Sequence, residues 1–137
     1  MTIERAVKHG YEDLTILELV LQLHGEFRRS LEPIRVTPLQ AGVLLFLRRH
    51  AEARVTDTAT ALRLRLPTLS EVIKDLVRKR WVTKRRSVTD TRVVHLRLSR
   101  RRNALALQIE QRVRQVSATL AEQYRTALGM NPKGSRA

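Results

Sequence analysis

Apolar residues recur at helical spacing at both ends of the chain. In residues 11–31 they fall every three or four positions, and a second apolar stripe runs beside the first. A helix that is apolar on more than one side needs more than one partner. Residues 99–128 have the same spacing, and Ser99 is suited to cap the start of that helix. The pattern therefore predicts a long helix at each end of the chain.

Three shorter helices are predicted between the two long ones. The first begins at Thr37, because threonine is a good N-cap and the proline after it is tolerated at the first helical position. Its predicted buried residues are Leu39, Val43, Leu44, Phe46 and Leu47. The second helix is short and begins at Thr56, and the third begins at Pro67. The buried residues predicted for the third are Leu69, Val72, Ile73 and Leu76.

After these helices the apolar period changes from helical to alternating. Residues 81–86 and 93–98 are two short segments of strand character, separated by the turn-forming stretch SVTDTR. The whole order is that of a winged helix-turn-helix between two further helices. The predicted fold class is mainly α with a small β-hairpin wing. We expect one domain over residues 1–137, with the winged-helix core at about residues 36–98.

The positive charge of the chain is concentrated in one segment. The formal net charge is +14, and residues 63–102 hold fourteen lysines or arginines against three acids. A concentrated basic patch is typical of a protein that binds a polyanion, whereas an ordinary solvated surface mixes both signs. A short helix fits the major groove, and a hairpin beside it can reach the backbone or the minor groove. The sequence therefore indicates double-stranded DNA as the partner, and a merely soluble basic surface is the alternative.

Several classes of protein are disfavoured by what the sequence lacks. It has no cysteine, which excludes disulfides and thiolate metal sites, and its histidines are dispersed. No apolar run reaches the roughly 18 residues of a membrane span, and the first residues lack the apolar centre of a secretory signal. It has neither a glycine-rich phosphate loop nor a clustered pair of carboxylates. We therefore expect that the protein is not an enzyme and that it binds neither a cofactor nor a metal. We expect it in the cytoplasm, associated with the nucleoid.

Three stretches carry a resemblance to a known family. They are VTPLQAGVLLFL at residues 36–47, the stretch of residues 56–82 that contains LRLRLPTLS, and DTRVVHLRLS at residues 90–99. The chain resembles the multiple-antibiotic-resistance regulator (MarR) family, whose pattern L-x-L-x-x-P-T-V-S is nearly matched by residues 62–70. The family's D-x-R wing motif is matched by Asp90 and Arg92. The resemblance extends over roughly residues 14–128.

The resemblance implies a homodimeric transcription regulator, and we expect a repressor that binds a pseudo-palindromic operator. The end helices, at about 11–31 and 99–128, would interlock with those of a second copy. The family often binds small aromatic or lipophilic anions between the dimer helices and the winged domain. The residues that would line such an effector pocket are His24, Phe27, Arg28, Leu31, Phe46 and Arg49.

Arg92 is the leading candidate for a DNA contact. In the family such an arginine reaches the minor groove, while an aspartate at the place of Asp90 braces the wing. A narrow minor groove attracts arginine; the alternative is a surface ion pair that contributes little. The other candidates lie on the helix that begins at Pro67, which would be the recognition helix, and on the wing. They are Arg65, Thr68, Ser70, Glu71, Lys74, Arg78, Lys84, Arg85 and Arg86.

Three arginines stand where the family usually has glycine. They are Arg63, Arg80 and Arg102. At the first two positions glycine relieves the strain of a positive φ, so arginine either forces a different backbone or accepts roughly 1 kcal/mol or more of strain. Arg65 also replaces the hydroxyl residue that usually caps the recognition helix.

Two other functions compete with that of a regulator. A winged helix can bind an acidic protein or RNA through the same surface. An architectural protein that coats the chromosome would show a steep salt dependence and little choice of sequence. The acids of the recognition helix and the single defined wing favour the regulator over the architectural protein.

Overall fold

The computed structural model describes the backbone of residues 12–127 and the side chains of residues 16–122. Its elements, in chain order, are α1 (Glu12–Leu31), a 3-10 helix (Glu32–Ile34), α2 (Pro38–Arg49), β1 (Ala53–Arg54), α3 (Val55–Leu62), α4 (Leu66–Arg78), β2 (Val82–Arg86), β3 (Val94–Leu98), a second 3-10 helix (Arg100–Arg102) and α5 (Asn103–Ala127). This order confirms the predicted class, mainly helical with a small wing. Within the described residues, no helix is long and apolar enough to cross a membrane.

The chain divides into two compact units, and the first is built from both ends of the described chain. It comprises residues 12–35 and 111–127. Leu19 of α1 and Leu120 of α5 are buried together, with Leu23 and Val116 packed against them. The Arg112 guanidinium donates a hydrogen bond of 2.8 Å to the carbonyl of Ser30. One apolar side of α1 is thus covered by α5.

Another apolar side of α1 is exposed. Its large side chains are Ile16, Leu17, Val20 and Leu21, which are between 52% and 63% accessible to solvent. The sequence predicted a helix with two apolar sides and hence two partners. The described part of the chain supplies the partner for one of those sides.

The second unit, Val36–Glu110, contains the winged helix. Its core consists of apolar side chains from α2, α4, the wing and the first turns of α5. The buried members include Val43, Leu44, Leu47, Leu69, Ile73, Leu76, Val82, Leu96, Ala106 and Ile109. The buried face predicted for α2 is wrong at Leu39, which is 40% exposed, while Gln40 and Ala41 are buried. The covered face of α2 therefore includes Gln40 and Ala41 in the first turn and leaves Leu39 outside it.

The start of α2 is held by a capping box. The Oγ1 atom of Thr37 accepts a hydrogen bond from the backbone N–H of Gln40 at 3.1 Å. In return Oε1 of Gln40 accepts from the backbone N–H of Thr37, also at 3.1 Å. Each bond satisfies a backbone donor that the helix itself leaves free. The predicted N-cap is confirmed, and the reciprocal role of Gln40 is an addition to it.

Other predicted helix starts are displaced by one to a few residues. Helix α3 begins at Val55 instead of Thr56, and its N-cap is Arg54, whose side chain makes no capping hydrogen bond. Helix α4 begins at Leu66, one residue before Pro67. Ser99 precedes a 3-10 turn, makes no side-chain cap, and the α-helix starts only at Asn103. Tertiary packing and the pairing of β1, rather than hydroxyl caps, set these boundaries.

Arginine is accommodated in the left-handed conformation at two of the family's glycine positions. The φ angles of Arg63 and Arg80 are 56° and 63°. After α4, the N–H of Arg80 donates to the carbonyl of Val77 and that of Trp81 to the carbonyl of Leu76, both at 2.9 Å. This pattern closes a helix with a left-handed residue and satisfies its last carbonyls. The chain therefore keeps the turn and accepts the strain of a side chain there.

Arg102, at the third glycine position, has a different environment. It lies in the 3-10 turn before α5, and its guanidinium sits 5.9 Å from the centre of the half-buried Trp81 ring. Lys79 Nζ lies 4.7 Å from the same ring. Both contacts are cation–π interactions. Arg102 thus gains a contact that glycine at this position would lack.

The wing is an antiparallel sheet in the order β1–β3–β2. Its register pairs Val82 with Leu98, Thr83 with Arg97, Lys84 with Leu96, Arg85 with His95, and Arg86 with Val94. Because successive side chains of a strand point to opposite faces, the sheet has two distinct faces. The inner face carries Val82, Lys84, Arg86, Val94, Leu96 and Leu98. The outer face carries Thr83, Arg85, His95 and Arg97.

Candidate nucleic-acid interface

A cleft of about 520 Å³ lies between α4, the wing and the junction of β1 with α3. All of its lining residues belong to the second unit. Its polar and charged residues are Arg54, Thr56, Ser70, Lys74, Lys84 and Arg92. Its apolar residues are Val55, Leu66, Ile73, Val77, Val93 and Val94. A cleft lined by both cationic and apolar side chains therefore separates the helix from the wing.

The cleft brings together four of the predicted DNA contacts from α4 and from the wing. Ser70 and Lys74 come from α4, Lys84 comes from β2, and Arg92 comes from the β2–β3 turn. Helical spacing places Ser70 and Lys74 on one side of α4. A row of donors and cations along a helix and an adjoining hairpin is what a phosphate backbone requires.

Arg54 and Thr56 complete the lining of the cleft. The sequence did not predict either residue as a DNA contact. Arg54 enters because the short strand β1 pairs it with His95 at the edge of the wing. Two residues are too few to show the alternation by which strands are recognised. Only the basic character of Arg54 just before a short helix offered a signal.

The acids of α4 are paired with its own cations. Glu71 Oε1 lies 3.7 Å from Lys74 Nζ, and both side chains are about three-quarters exposed. Such an exposed pair contributes little to stability, so Lys74 can exchange Glu71 for a phosphate at small cost. Glu71 itself is on the exposed surface and does not line the cleft.

Asp75 has a structural role in the winged helix. One of its oxygens, Oδ2, accepts a hydrogen bond of 2.6 Å from Nε2 of the buried Gln40. The same oxygen lies 3.3 Å from Lys79 Nζ, while Oδ1 accepts from the Arg78 guanidinium. Asp75 thereby ties α4 to the capped start of α2. Arg78, a predicted DNA contact, remains 74% exposed beside it.

The wing turn is organised around Asp90. Its Oδ1 accepts from the backbone N–H of Arg92 at 3.0 Å and from Arg92 Nε at 3.2 Å. These hydrogen bonds from Arg92 to the charged carboxylate lower the pKa of Asp90, and the charge of Arg54 acts in the same direction. Arg92 nevertheless keeps 90% of its side-chain surface exposed. The aspartate thus fixes the turn while the guanidinium stays accessible at the mouth of the cleft.

Further hydrogen bonds shape the turn from both of its ends. Ser87 Oγ accepts from the backbone N–H groups of Thr89 and Asp90, each at 3.2 Å. The Arg86 guanidinium donates to the carbonyl of Thr91 at 2.6 Å. Arg86, a predicted DNA contact, is therefore also a brace of the wing.

The remaining predicted DNA contacts lie outside the cleft. Arg65 is the N-cap of α4 and makes no side-chain capping bond, as its residue type indicated. Thr68 is exposed in the first turn of the same helix. Arg85 is exposed on the outer face of the sheet, opposite to Lys84 and Arg86. The structure thus distributes the predicted set over the cleft, the start of α4 and the outer face.

The predicted effector residues belong to both units. His24, Phe27, Arg28 and Leu31 lie in the first unit, whereas Phe46 and Arg49 lie in the second. Leu31 and Phe46 are buried, and the Phe46 ring packs against His50 with centroids 4.3 Å apart. Phe27 is half-buried, and His24, Arg28 and Arg49 are exposed. A role for these residues in ligand binding stays a prediction.

Comparison with known proteins gives one family and one fold. The model of the MarR family matches residues 36–93, which contain the elements from α2 to β2 and the turn after β2, and which end just before β3. No protein with curated annotation matches the chain in sequence. The family resemblance read from the sequence motifs is confirmed over the matched residues.

Solved structures of similar fold include two proteins in complex with DNA. A mutant of MarR from E. coli bound to operator DNA is 22% identical over 87% of this chain and 81% of that chain, with a TM-score of 0.70. MepR from S. aureus bound to DNA is 23% identical over 79% of this chain and 80% of that chain, with a TM-score of 0.74. The apo form of wild-type MarR from E. coli is 22% identical over 87% of this chain and 84% of that chain, with a TM-score of 0.67. These likenesses show the winged-helix fold.

Proposed function

We propose that this chain is a member of the MarR family, whose model matches residues 36–93, and that it is a dimeric, sequence-specific, DNA-binding transcription repressor. The observation that carries the proposal is the cleft, in which Ser70, Lys74, Lys84 and Arg92 converge from the helix and the wing. The DNA complexes of MarR and MepR, which share the fold, support it. Such a regulator would act in the cytoplasm, at the nucleoid.

In this proposal each element of the winged helix contacts a different part of the duplex. Helix α4 enters the major groove with Thr68 and Ser70 near its start, where hydroxyls can contact phosphates or base edges. Arg92 reaches into the minor groove, whose negative potential favours a guanidinium. Lys74 and Lys84 neutralise phosphates and set the register of the protein on the duplex. Affinity comes mainly from the cations, and sequence choice from α4 and Arg92.

The exposed apolar side of α1 supports a dimer. Ile16, Leu17, Val20 and Leu21 form an apolar patch that a monomer would leave in water. The same side of a second copy would cover it in a two-fold arrangement, since such an interface is self-complementary. Two winged helices related by a two-fold axis read a pseudo-palindromic operator, with half-sites about one helical turn apart.

Release from the operator would follow from binding of a small aromatic or lipophilic anion. The proposed lining residues are His24, Phe27, Arg28, Leu31, Phe46 and Arg49. The anion can lower DNA affinity only if it binds better to the geometry that does not fit the operator. The arginines of this set match the charge of such a ligand, and its phenylalanines match the apolar body.

The test begins with selection of bound sequences from a random duplex library by the full chain. The selected duplex is then titrated by fluorescence anisotropy against a scrambled duplex of the same length. We expect specific binding about 10³-fold or more tighter than non-specific binding at physiological salt. The double variant Arg92→Ala with Lys74→Ala should weaken binding to the selected duplex by at least tenfold.

Two results would contradict the proposal. Equal affinity for the selected and the scrambled duplex would indicate an architectural protein instead of a regulator. A steep salt dependence of binding without any preference for sequence would indicate the same. Unaltered duplex binding by the double variant would mean that the DNA-binding surface lies outside the cleft. As a control, Arg114→Ala changes the charge of α5 in the first unit and should leave the affinity unaffected.

A further inference from the structure

The outer face of the wing carries two cations that the cleft does not use. Strand alternation and register place Arg85 and Arg97 there, beside His95 and Thr83. Lys84, the neighbour of Arg85 on β2, points to the opposite face and lines the cleft. The two faces of one strand therefore present positive charge in opposite directions.

These two arginines lack the acidic partners that their counterparts have. Lys74, Arg78 and Arg92 each form an ion pair. Among the described residues, no acid forms an ion pair with Arg85 or Arg97, and both side chains are exposed. The outer face thus has an excess of positive charge that nothing in the described chain neutralises.

The spacing of the two arginines follows from the register. Arg85 faces His95 directly, so Arg97 is its diagonal neighbour, at about 7–8 Å. Like charges at this separation repel each other, even though solvent screens them. The two side chains start about as far apart as neighbouring phosphates of one DNA strand, whose separation exceeds the axial rise of roughly 3.4 Å per phosphate because the strand winds around the axis. An external polyanion with this spacing would remove the repulsion.

We propose that the outer face binds the phosphate backbone of DNA flanking the operator, an inference that rests on the proposed function. One stretch of backbone cannot contact both faces of the sheet, because they point in opposite directions. Arg85 follows Lys84 directly on β2, so flanking DNA that bends around the wing from the cleft would meet the outer face. The outer face thereby widens the footprint of each protomer without adding sequence choice, since phosphates are the same in every sequence.

The experiment compares two duplexes that share the selected operator. One ends at the outer edges of the half-sites, and the other is extended on each side by roughly 10 base pairs, one helical turn, of scrambled sequence. The readout is the ratio of the two affinities, together with the salt slope on each duplex. The wild-type chain should bind the extended duplex more tightly, with a steeper slope.

The double variant Arg85→Gln with Arg97→Gln removes both positive charges. It should reduce the ratio of the affinities for the extended and the short duplex to one. On the extended duplex its salt slope should fall by about 0.9 for each lost phosphate contact, thus by roughly 3 to 4 for a dimer. The double variant Arg85→Lys with Arg97→Lys keeps both charges and should retain the ratio. Lys84→Ala, the matched control on the inner face, should weaken binding to both duplexes and leave their ratio unchanged.

The possible outcomes separate this inference from the proposed function. A wild-type ratio of one, or a ratio that survives in the glutamine variant, overturns the outer-face site while operator binding stands. The second result would also be expected if an acidic protein occupied the outer face instead of DNA. Failure to bind either duplex overturns the proposed function, and the outer-face site with it. Unfolding curves for both double variants establish that a lost ratio does not reflect a lost fold.

Discussion

Gln40 joins the start of α2 to α4, and its replacement tests how the winged helix is held together. Its Oε1 accepts from the N–H of Thr37, and its Nε2 donates to Asp75 at 2.6 Å. The side chain is only 7% exposed. The substitution Gln40→Met keeps the length and most of the volume of the side chain while removing both polar contacts.

The expected loss of stability can be estimated bond by bond. A hydrogen bond to a charged group contributes about 1.5–3 kcal/mol, and the neutral bond of the capping box about 0.5–1 kcal/mol. Asp75 keeps Arg78 and Lys79 as partners, so no carboxylate is left unpaired. We therefore expect Gln40→Met to lower the free energy of unfolding by about 2–4 kcal/mol.

A double-mutant cycle measures the part of this loss that belongs to the contact between the two helices. Urea unfolding of Gln40→Met, Asp75→Ala and the combined variant should give a coupling free energy of about 1–2 kcal/mol. Protomer concentration is kept equal in all samples, because the stability of a dimer depends on it. Thr37→Ala, which removes only the hydroxyl cap, should cost about 1 kcal/mol and serves as the control. Losses from Gln40→Met and Asp75→Ala that add to within about 0.5 kcal/mol would refute the reasoning.

Two further predictions concern the strained turns and the wing. Arg63→Gly and Arg80→Gly should each raise the free energy of unfolding by roughly 0.5–1 kcal/mol, because glycine adopts a positive φ without strain; a loss in urea unfolding would contradict this. Arg92 lowers the pKa of Asp90 below its ordinary value of 3.8. The stabilisation of the folded wing by ionised Asp90 is therefore complete above pH 3.8, and it is lost as the pH falls through the lowered pKa. Wing order and DNA affinity should therefore show no dependence on Asp90 ionisation between about pH 5 and 8, as carboxyl NMR and anisotropy can check.

The sequence predicted those parts of the fold that depend on local chemistry and regular periodicity. Helix α2 starts at the predicted cap because Thr37 and its proline act within one turn. The hairpin strands follow from alternation over five residues each. Strand β1 has two residues and exists only through its pairing with β3, so no local pattern reveals it. The start of α3 was wrong for the same reason, since Arg54 belongs to that strand.

The candidate site could be predicted by residue type but not by arrangement. Charge and family motifs indicated Lys84, Arg85 and Arg86 as one basic run. Register divides that run between two faces, and a hydrogen bond to Thr91 gives Arg86 a structural role. The tie between Gln40 and Asp75 spans 35 positions of the chain, and no pattern of spacing connects residues so far apart.

The setting of Trp81 makes the molecule its own optical probe. It is the single tryptophan of the chain, so all indole emission arises from one location. That location is where α4 ends and β2 begins, between the cations of Lys79 and Arg102. Motion of the wing against α4 would change how closely those cations approach the ring. A shift of the emission spectrum on adding a duplex would therefore register the docked state without any attached dye.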